Sequence, residues 1–240
     1  MRIEIWSDVV CPWCYIGKRR LEAALDRFEH KDDIEIEWKA FELDGSAQSA
    51  TANAAAESNG YAERLSVKYG QSLEQAQGML DSMTAAAAGE GLDFRFDKAV
   101  RANTFQAHQV IHLASTHGVQ DAVKERLLRA YFTEGEAVGD TEALARLASE
   151  AGLDAGLVRE ALAEQSQAAP VRAEQDEAQQ LGISGVPFFV IDRKYGVSGA
   201  QPADQLLQIL RQAWTEKHPL TMVGAAGSEA DGACGPDGCA

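Results

Sequence analysis

Positive charge is in short supply in this chain. Its 240 residues include 22 Lys or Arg against 37 Asp or Glu, a formal net charge of −15. Such a surface repels nucleic acid and anionic membrane, so neither is an expected partner. Long hydrophobic runs are lacking too: no apolar stretch approaches the ~20 residues of a membrane span. There is no internal repeat and no heptad run. No signal peptide is evident, because the first strand begins within three residues of Met1, and the expected location is the cytoplasm. Cysteine is scarce, four residues in all. In a reducing compartment two cysteine pairs point to catalysis or redox sensing rather than structural bridges. With 45% hydrophobic residues, the chain can build one large domain or two small ones.

The first pair is Cys11-Pro12-Trp13-Cys14. Upstream, Ile3-Glu4-Ile5-Trp6 reads as a short buried strand. Downstream, Leu21, Ala24, Leu25 and Phe28 fall at helical spacing. Pro12 suits the first helical turn, where its missing N–H costs nothing. Cys11 then sits at a helix N-terminus, where unpaired N–H groups and the helix dipole favour a thiolate. Cys14 lies one turn on, within reach of a disulfide. Cys11 is therefore expected to be the accessible, low-pKa thiol and Cys14 the shielded one. A zinc site using both cysteine pairs is the competing reading, but strand, CxxC and helix in that order is a redox context.

Ile34–Ala40 alternates apolar and charged, a second strand with one wet face. From about Ser46 to Gln165 strand signals vanish and good helix formers dominate. The pattern predicts helices over 55–69, 72–89, 98–117, 119–133, 140–151 and 154–165, a helical subdomain inserted into an α/β domain. A helix over 169–181 follows. Phe188–Ile191 and Tyr195–Ser198 then form a hairpin, and Pro202 opens a last helix. The expected division is a domain of 1–45 plus 166–217, a helical insertion of 46–165, and a flexible tail of 218–240. The tail carries the second pair, Cys234 and Cys239, around a Gly-Pro-Asp-Gly turn. These are either a second redox couple that exchanges with the first or exposed cysteines that oxidise incidentally.

This element order is that of a thioredoxin-like fold with a large all-helical insertion. The run from Trp6 to Gly17, Trp-Ser-Asp-Val-Val-Cys-Pro-Trp-Cys-Tyr-Ile-Gly, resembles the DsbA-like family. It is most similar to the FrnE-like branch, related to 2-hydroxychromene-2-carboxylate isomerases and kappa-class glutathione transferases. Asn103–His108, Ser184–Phe189 and Val197–Gln201 agree in the same order. The resemblance implies a cis peptide bond before Pro187, in a loop facing the CxxC. There the Val186 backbone would present N–H and C=O groups to an extended peptide or glutathione. Isomerase and transferase relatives carry serine at the first cysteine position, whereas this chain keeps both. That favours a thiol–disulfide oxidoreductase acting on protein or small-molecule thiols and disulfides. The alternative is a glutathione-dependent transferase or isomerase. No tightly bound cofactor is implied, and glutathione is a candidate co-substrate. DsbA-type relatives often carry His within the CxxC where this chain has Trp13. The thiolate should then lean on the helix N-terminus alone, giving a less oxidising protein.

Weaker signals remain open. Asp8 is either a proton carrier for Cys14 or a turn residue at the helix entry. His108 and His112 have metal-ligand spacing, but no third ligand is apparent, and no metal is expected. Asn103 and Thr104 either line the active-site face, as the resemblance suggests, or cap a helix. Trp13 suits a substrate rim; Tyr15 suits the rim or packing under the insertion.

Overall fold

The computed structural model describes residues 1–48 and 60–219. Strand β1 (Arg2–Ser7) pairs in parallel with β2 (Glu35–Ala40), Ile3 opposite Ile36 and Ile5 opposite Trp38. On its other side β1 pairs antiparallel with β3 (Phe188–Ile191), which forms a hairpin with β4 (Tyr195–Ser198). The sheet order is β2-β1-β3-β4. Alternation decides its two faces. Ile3, Ile5, Phe189 and Ile191 enter the main core, while Trp6 and Val190 face a smaller cluster with Ala178 and Ile183.

Helix α1 (Pro12–Leu25) connects β1 to β2 and packs against the last helix, whose residues Leu206, Leu207 and Leu210 lie buried in the same core. Between β2 and the second half of the sheet stand α2 (Tyr61–Tyr69), α3 (Leu73–Gly89), α4 (Phe105–Thr116), α5 (Gln120–Arg129), α6 (Thr141–Glu150) and α7 (Ala155–Glu164). They are followed by α8 (Ala168–Gln180), which packs on β2 and α4, and, after the hairpin, by α9 (Ala203–Lys217). The starts of several are written locally. Ser72 and Gln75 form a reciprocal capping box on α3, and Asp140 and Asp154 cap α6 and α7.

Two helices differ from the sequence expectation. The helix expected over 98–117 begins only at Phe105. Ala99, Val100 and Ala102 are buried in an irregular stretch, where tertiary packing overrides their helix propensity. The helix expected over 119–133 leaves α-geometry at Ala130, and Ala130–Glu134 is a π-type turn. Gly135 ends it at φ 79, with its Cα against Lys98; a Cβ there would lie 2.6 Å from the Lys98 Cβ. The helix expected over 55–69 starts only at Tyr61, after its N-cap Gly60, and residues 55–59 lie outside the described ones. So do Cys234 and Cys239 and most of the expected tail.

The helical segment does not keep its apolar residues to itself. Phe94, Leu127, Phe132 and Leu144 belong to the same buried cluster as Ile3, Ile16 and Phe189. Tyr15 of α1 is the aromatic bridge, 6.0 Å from Phe94 and 6.3 Å from Phe132 between ring centroids. Its hydroxyl donates to Glu125 at 2.7 Å. Tyr15 is thus packed under the helical segment rather than placed on a rim.

Candidate active site

Cys11 is the N-cap residue of α1, in extended conformation, and Pro12 takes the first turn. The Cys11 N–H donates to the Asp8 carbonyl at 3.3 Å, and the Cys14 N–H donates to the Cys11 carbonyl at 3.1 Å. These two turns carry the chain from β1 into the helix. The Val186–Pro187 bond is cis, as the resemblance implies. The Cys11 thiol points at the Val186 carbonyl, with Sγ 3.5 Å from the oxygen. Pro187 is held from both sides. Its carbonyl accepts from the Gly199 N–H at 2.8 Å, and its ring lies over Gly17 of α1, where a Cβ would come within 3.0 Å of Cγ. Trp13, 41% exposed, stands free at the helix start. Cys11, Trp13, Val186 and Pro187, from distant parts of the chain, thus include one thiol-to-loop contact and one exposed ring.

The expected contrast between the cysteines is only partly present. Both are buried, Cys11 at 4% exposure and Cys14 at 1%. The Cys11 thiol is raised well above its ordinary value, first by its hydrogen bond to Cys14 and then by burial. Burial raises Cys14 too, but the bond from Cys11, the charge of Lys124 and the neighbouring Ser7 hydroxyl outweigh it, and Cys14 is lowered. Lys124 of α5 is a further buried charge that acts on the pair.

Asp8 lies beneath the pair and is fully buried. Its Oδ2 accepts from the Leu43 N–H at 2.8 Å, and its Oδ1 faces His108 Nε2 at 3.4 Å. Burial pushes the carboxyl up, but His108, the Leu43 N–H and Lys124 outweigh it, and Asp8 is held below its ordinary value. The Asp8 backbone carbonyl makes the turn at the helix entry, and its carboxylate is directed at Leu43 and His108. His108 therefore faces a carboxylate, and among the described residues no cluster of three or more His, Cys, Asp or Glu could hold a metal. Asn103 Oδ1 accepts from the Phe105 N–H at 3.0 Å, and the Thr104 carbonyl accepts from the His108 N–H at 2.9 Å. Both residues start α4, which orients His108 toward Asp8.

Sequence reasoning missed Lys124, His108 as the partner of Asp8, and Tyr61, a partly buried residue of α2 whose phenol is pushed up by desolvation, Tyr131 and Cys11. For Lys124 a signal existed. It sits at the buried spacing Val123, Lys124, Leu127 and Leu128, where a charge has no place unless the interior uses it.

Fold and site together define a thioredoxin-like protein with a buried dithiol at a helix N-terminus. The DSBA-like thioredoxin domain family matches residues 2–211, and the chain belongs to it. It is similar to the crystal structure of the probable DsbA oxidoreductase SCO1869 from Streptomyces coelicolor, with 46% identity and a TM-score of 0.83, covering 100% of this chain and 98% of that one. It is 27% identical over 193 residues to the uncharacterized protein YwbO of Bacillus subtilis, covering 80% of this chain and 86% of that protein. It shares its fold with the cytosolic disulfide reductase DsbM from Pseudomonas aeruginosa, solved with GSH, at 18% identity and a TM-score of 0.59, covering 89% and 99%. Members of this family act on thiols and disulfides. Among the described residues no helix is long and apolar enough to cross a membrane.

Proposed function

We propose that this protein is a thiol–disulfide oxidoreductase of the FrnE-like branch, working in the cytoplasm on protein or small-molecule disulfides. The observation that carries this reading is the Cys11–Cys14 dithiol at the start of α1, with Cys11 directed at the Val186 carbonyl. Cys11 reacts as its thiolate. The Cys11 sulfur bonds one sulfur of the substrate disulfide and expels the other as a thiolate. The expelled thiolate takes the Cys14 proton, and the Cys14 thiolate then attacks the Cys11 sulfur, closes the protein disulfide and releases the second substrate sulfur as a thiolate. The reverse sequence oxidises a substrate dithiol. Trp13 and the Val186–Pro187 backbone form the rim that receives the substrate, with glutathione as a co-substrate of the right chemistry. Asp8, Asn103 and Thr104 support the buried cluster, and Pro12 sets the first turn of α1. No metal or tightly bound cofactor enters these steps. Cys234 and Cys239 form a second couple that exchanges with the first.

The reading is tested with Cys11→Ser and Cys14→Ser. Cys11→Ser should abolish reduction of a protein disulfide, and Cys14→Ser should accumulate mixed disulfides on Cys11. Iodoacetamide should label Cys11, the more exposed sulfur, before Cys14. Activity toward a glutathione conjugate that survives in Cys11→Ser would favour the transferase or isomerase reading. The second couple predicts slower turnover in Cys234→Ser/Cys239→Ser and a trappable bond from Cys11 to the tail. Parent turnover without any such bond removes the relay.

A further inference from the structure

Helix α1 meets the Pro187 loop and the hairpin at several points along its length. At its start, Cys11 Sγ lies 3.5 Å from the Val186 carbonyl. Further along, the Pro187 ring and Ala200 lie over Gly17. Arg20 follows Gly17 at the i+3 position, on the same face. Its Nη1 donates to the Ala200 carbonyl at 2.6 Å, and its Nε donates to Glu90 at 2.6 Å. Glu90 is the C-cap of α3. A carboxylate there meets the negative end of the helix dipole, a poor place for it unless a cation holds it. The adjoining cations of α1 are engaged elsewhere, Lys18 and Arg19 on Glu22, Glu125 and Asp121.

The segment that Arg20 reaches carries the Pro187 loop. The Gly199 N–H donates to the Pro187 carbonyl at 2.8 Å, a rung just beyond the Phe188–Ser198 pair of the hairpin. The carbonyls on either side of that turn are treated differently. Those of Ser198 and Gly199 accept from Gln201, from its side chain at 2.7 Å and its N–H at 2.9 Å. The Ala200 carbonyl takes its donor from another element, and that donor is charged. A turn at the end of a ladder is where a sheet opens first. A charge-assisted bond from a packed helix holds it more firmly than a neutral one.

We propose that Arg20 is a positioning residue for substrate: steadied by Glu90, it fixes Ala200 and, through the Gly199 N–H, holds the Pro187 loop beside Cys11. This rests on the oxidoreductase reading, in which the Val186–Pro187 backbone receives a peptide. Arg20 itself touches no substrate. Its planar fork serves a carboxylate and a carbonyl at once in fixed geometry, which a lysine ammonium on a flexible stem does not. The consequence is selective. A peptide disulfide lies along the loop and gains from a backbone already in place. A disulfide without a peptide backbone needs only the Cys11 sulfur.

The test is the rate at which the reduced full chain is oxidised, measured against the concentration of two probes. One is a synthetic linear peptide dimer joined by a disulfide, and the other is hydroxyethyl disulfide. Arg20→Met should raise the half-saturating concentration of the peptide probe about tenfold at little change in limiting rate, the pattern of lost binding. Its second-order rate with hydroxyethyl disulfide should stay within about twofold of the parent's. Glu90→Gln should move the peptide probe in the same direction. The Gly199 amide should exchange with solvent about tenfold faster in Arg20→Met, while the amides of β1 stay protected. Equal losses on both probes, parent values on both, or a Gly199 amide exchanging at the parent's rate overturn the proposal. Should Arg20→Met not fold, Arg20→Lys must show the same split between the probes. A parent inert toward both probes overturns the oxidoreductase reading and with it the substrate role of Arg20; its hold on Gly199 is read separately by the amide exchange.

Discussion

Gly17 is the position where helix α1 meets the Pro187 loop, and Gly17→Ala measures how tightly they fit. An added Cβ would lie 3.0 Å from Pro187 Cγ, 3.4 Å from Phe189 Cζ and 3.5 Å from Ala200 Cβ. Ordinary carbon contacts are about 3.5–4.0 Å, so the overlap with Pro187 is at least half an ångström. The ring has little freedom to yield, because the Gly199 N–H holds its carbonyl and Phe189 is buried behind it. Overpacking of this kind costs about 1–3 kcal/mol. Alanine returns about 1 kcal/mol of helix propensity. The net expectation is a loss of about 1 kcal/mol, which lowers Tm by about 2–4 °C in a chain of this size. Gly78→Ala in α3 is the control, since nothing lies within 4 Å of its added Cβ. It should gain about 1 kcal/mol, so the two variants should differ by about 2 kcal/mol in urea unfolding. Disulfide exchange should also slow in Gly17→Ala, because α1 must move away from the loop that Cys11 faces. If Gly17→Ala is stabilised as much as Gly78→Ala and exchanges at the parent's rate, the close-packing argument is wrong.

Phe132→Ala should cost about 3–5 kcal/mol in urea unfolding, because the ring is fully buried and stacks on Phe94 at 4.6 Å; a loss below about 1.5 kcal/mol would show that the helices do not depend on it. Asp8 is held below its ordinary value of 3.8, so its ionised form stabilises the fold above that value and the contribution is lost as pH falls through the lower folded value. Asp8→Asn should therefore flatten the acid limb of stability below about pH 4, and an unchanged limb would refute the assignment. Ser72→Ala removes the capping box of α3 and should cost about 1 kcal/mol, read as a small drop in Tm.

How legible the molecule was depends on the range of the interaction concerned. Pro12 after an N-cap cysteine, Ser72 with Gln75, and the alternation of β2 all act within a few residues, and each element formed where its pattern stood. The same local reasoning carried the helix at 98–117 too far. Ala99, Val100 and Ala102 are good or tolerable helix formers that burial holds in another conformation. It could not show Lys124 of α5 either, which burial sets within electrostatic reach of both sulfurs.

The sequence by itself determined the element order and the cysteine pair at the mouth of a helix. These follow from backbone preferences and from side-chain periodicity, which are properties of neighbouring residues. Only the tertiary structure decided what surrounds the sulfurs. It set the Cys11 thiol 3.5 Å from the Val186 carbonyl, across 175 positions of chain. It put His108 against Asp8 and buried Lys124 of α5 against the Ser7 carbonyl. The physical reason is that electrostatic energy depends on distance and burial, and neither can be read along a chain before it folds.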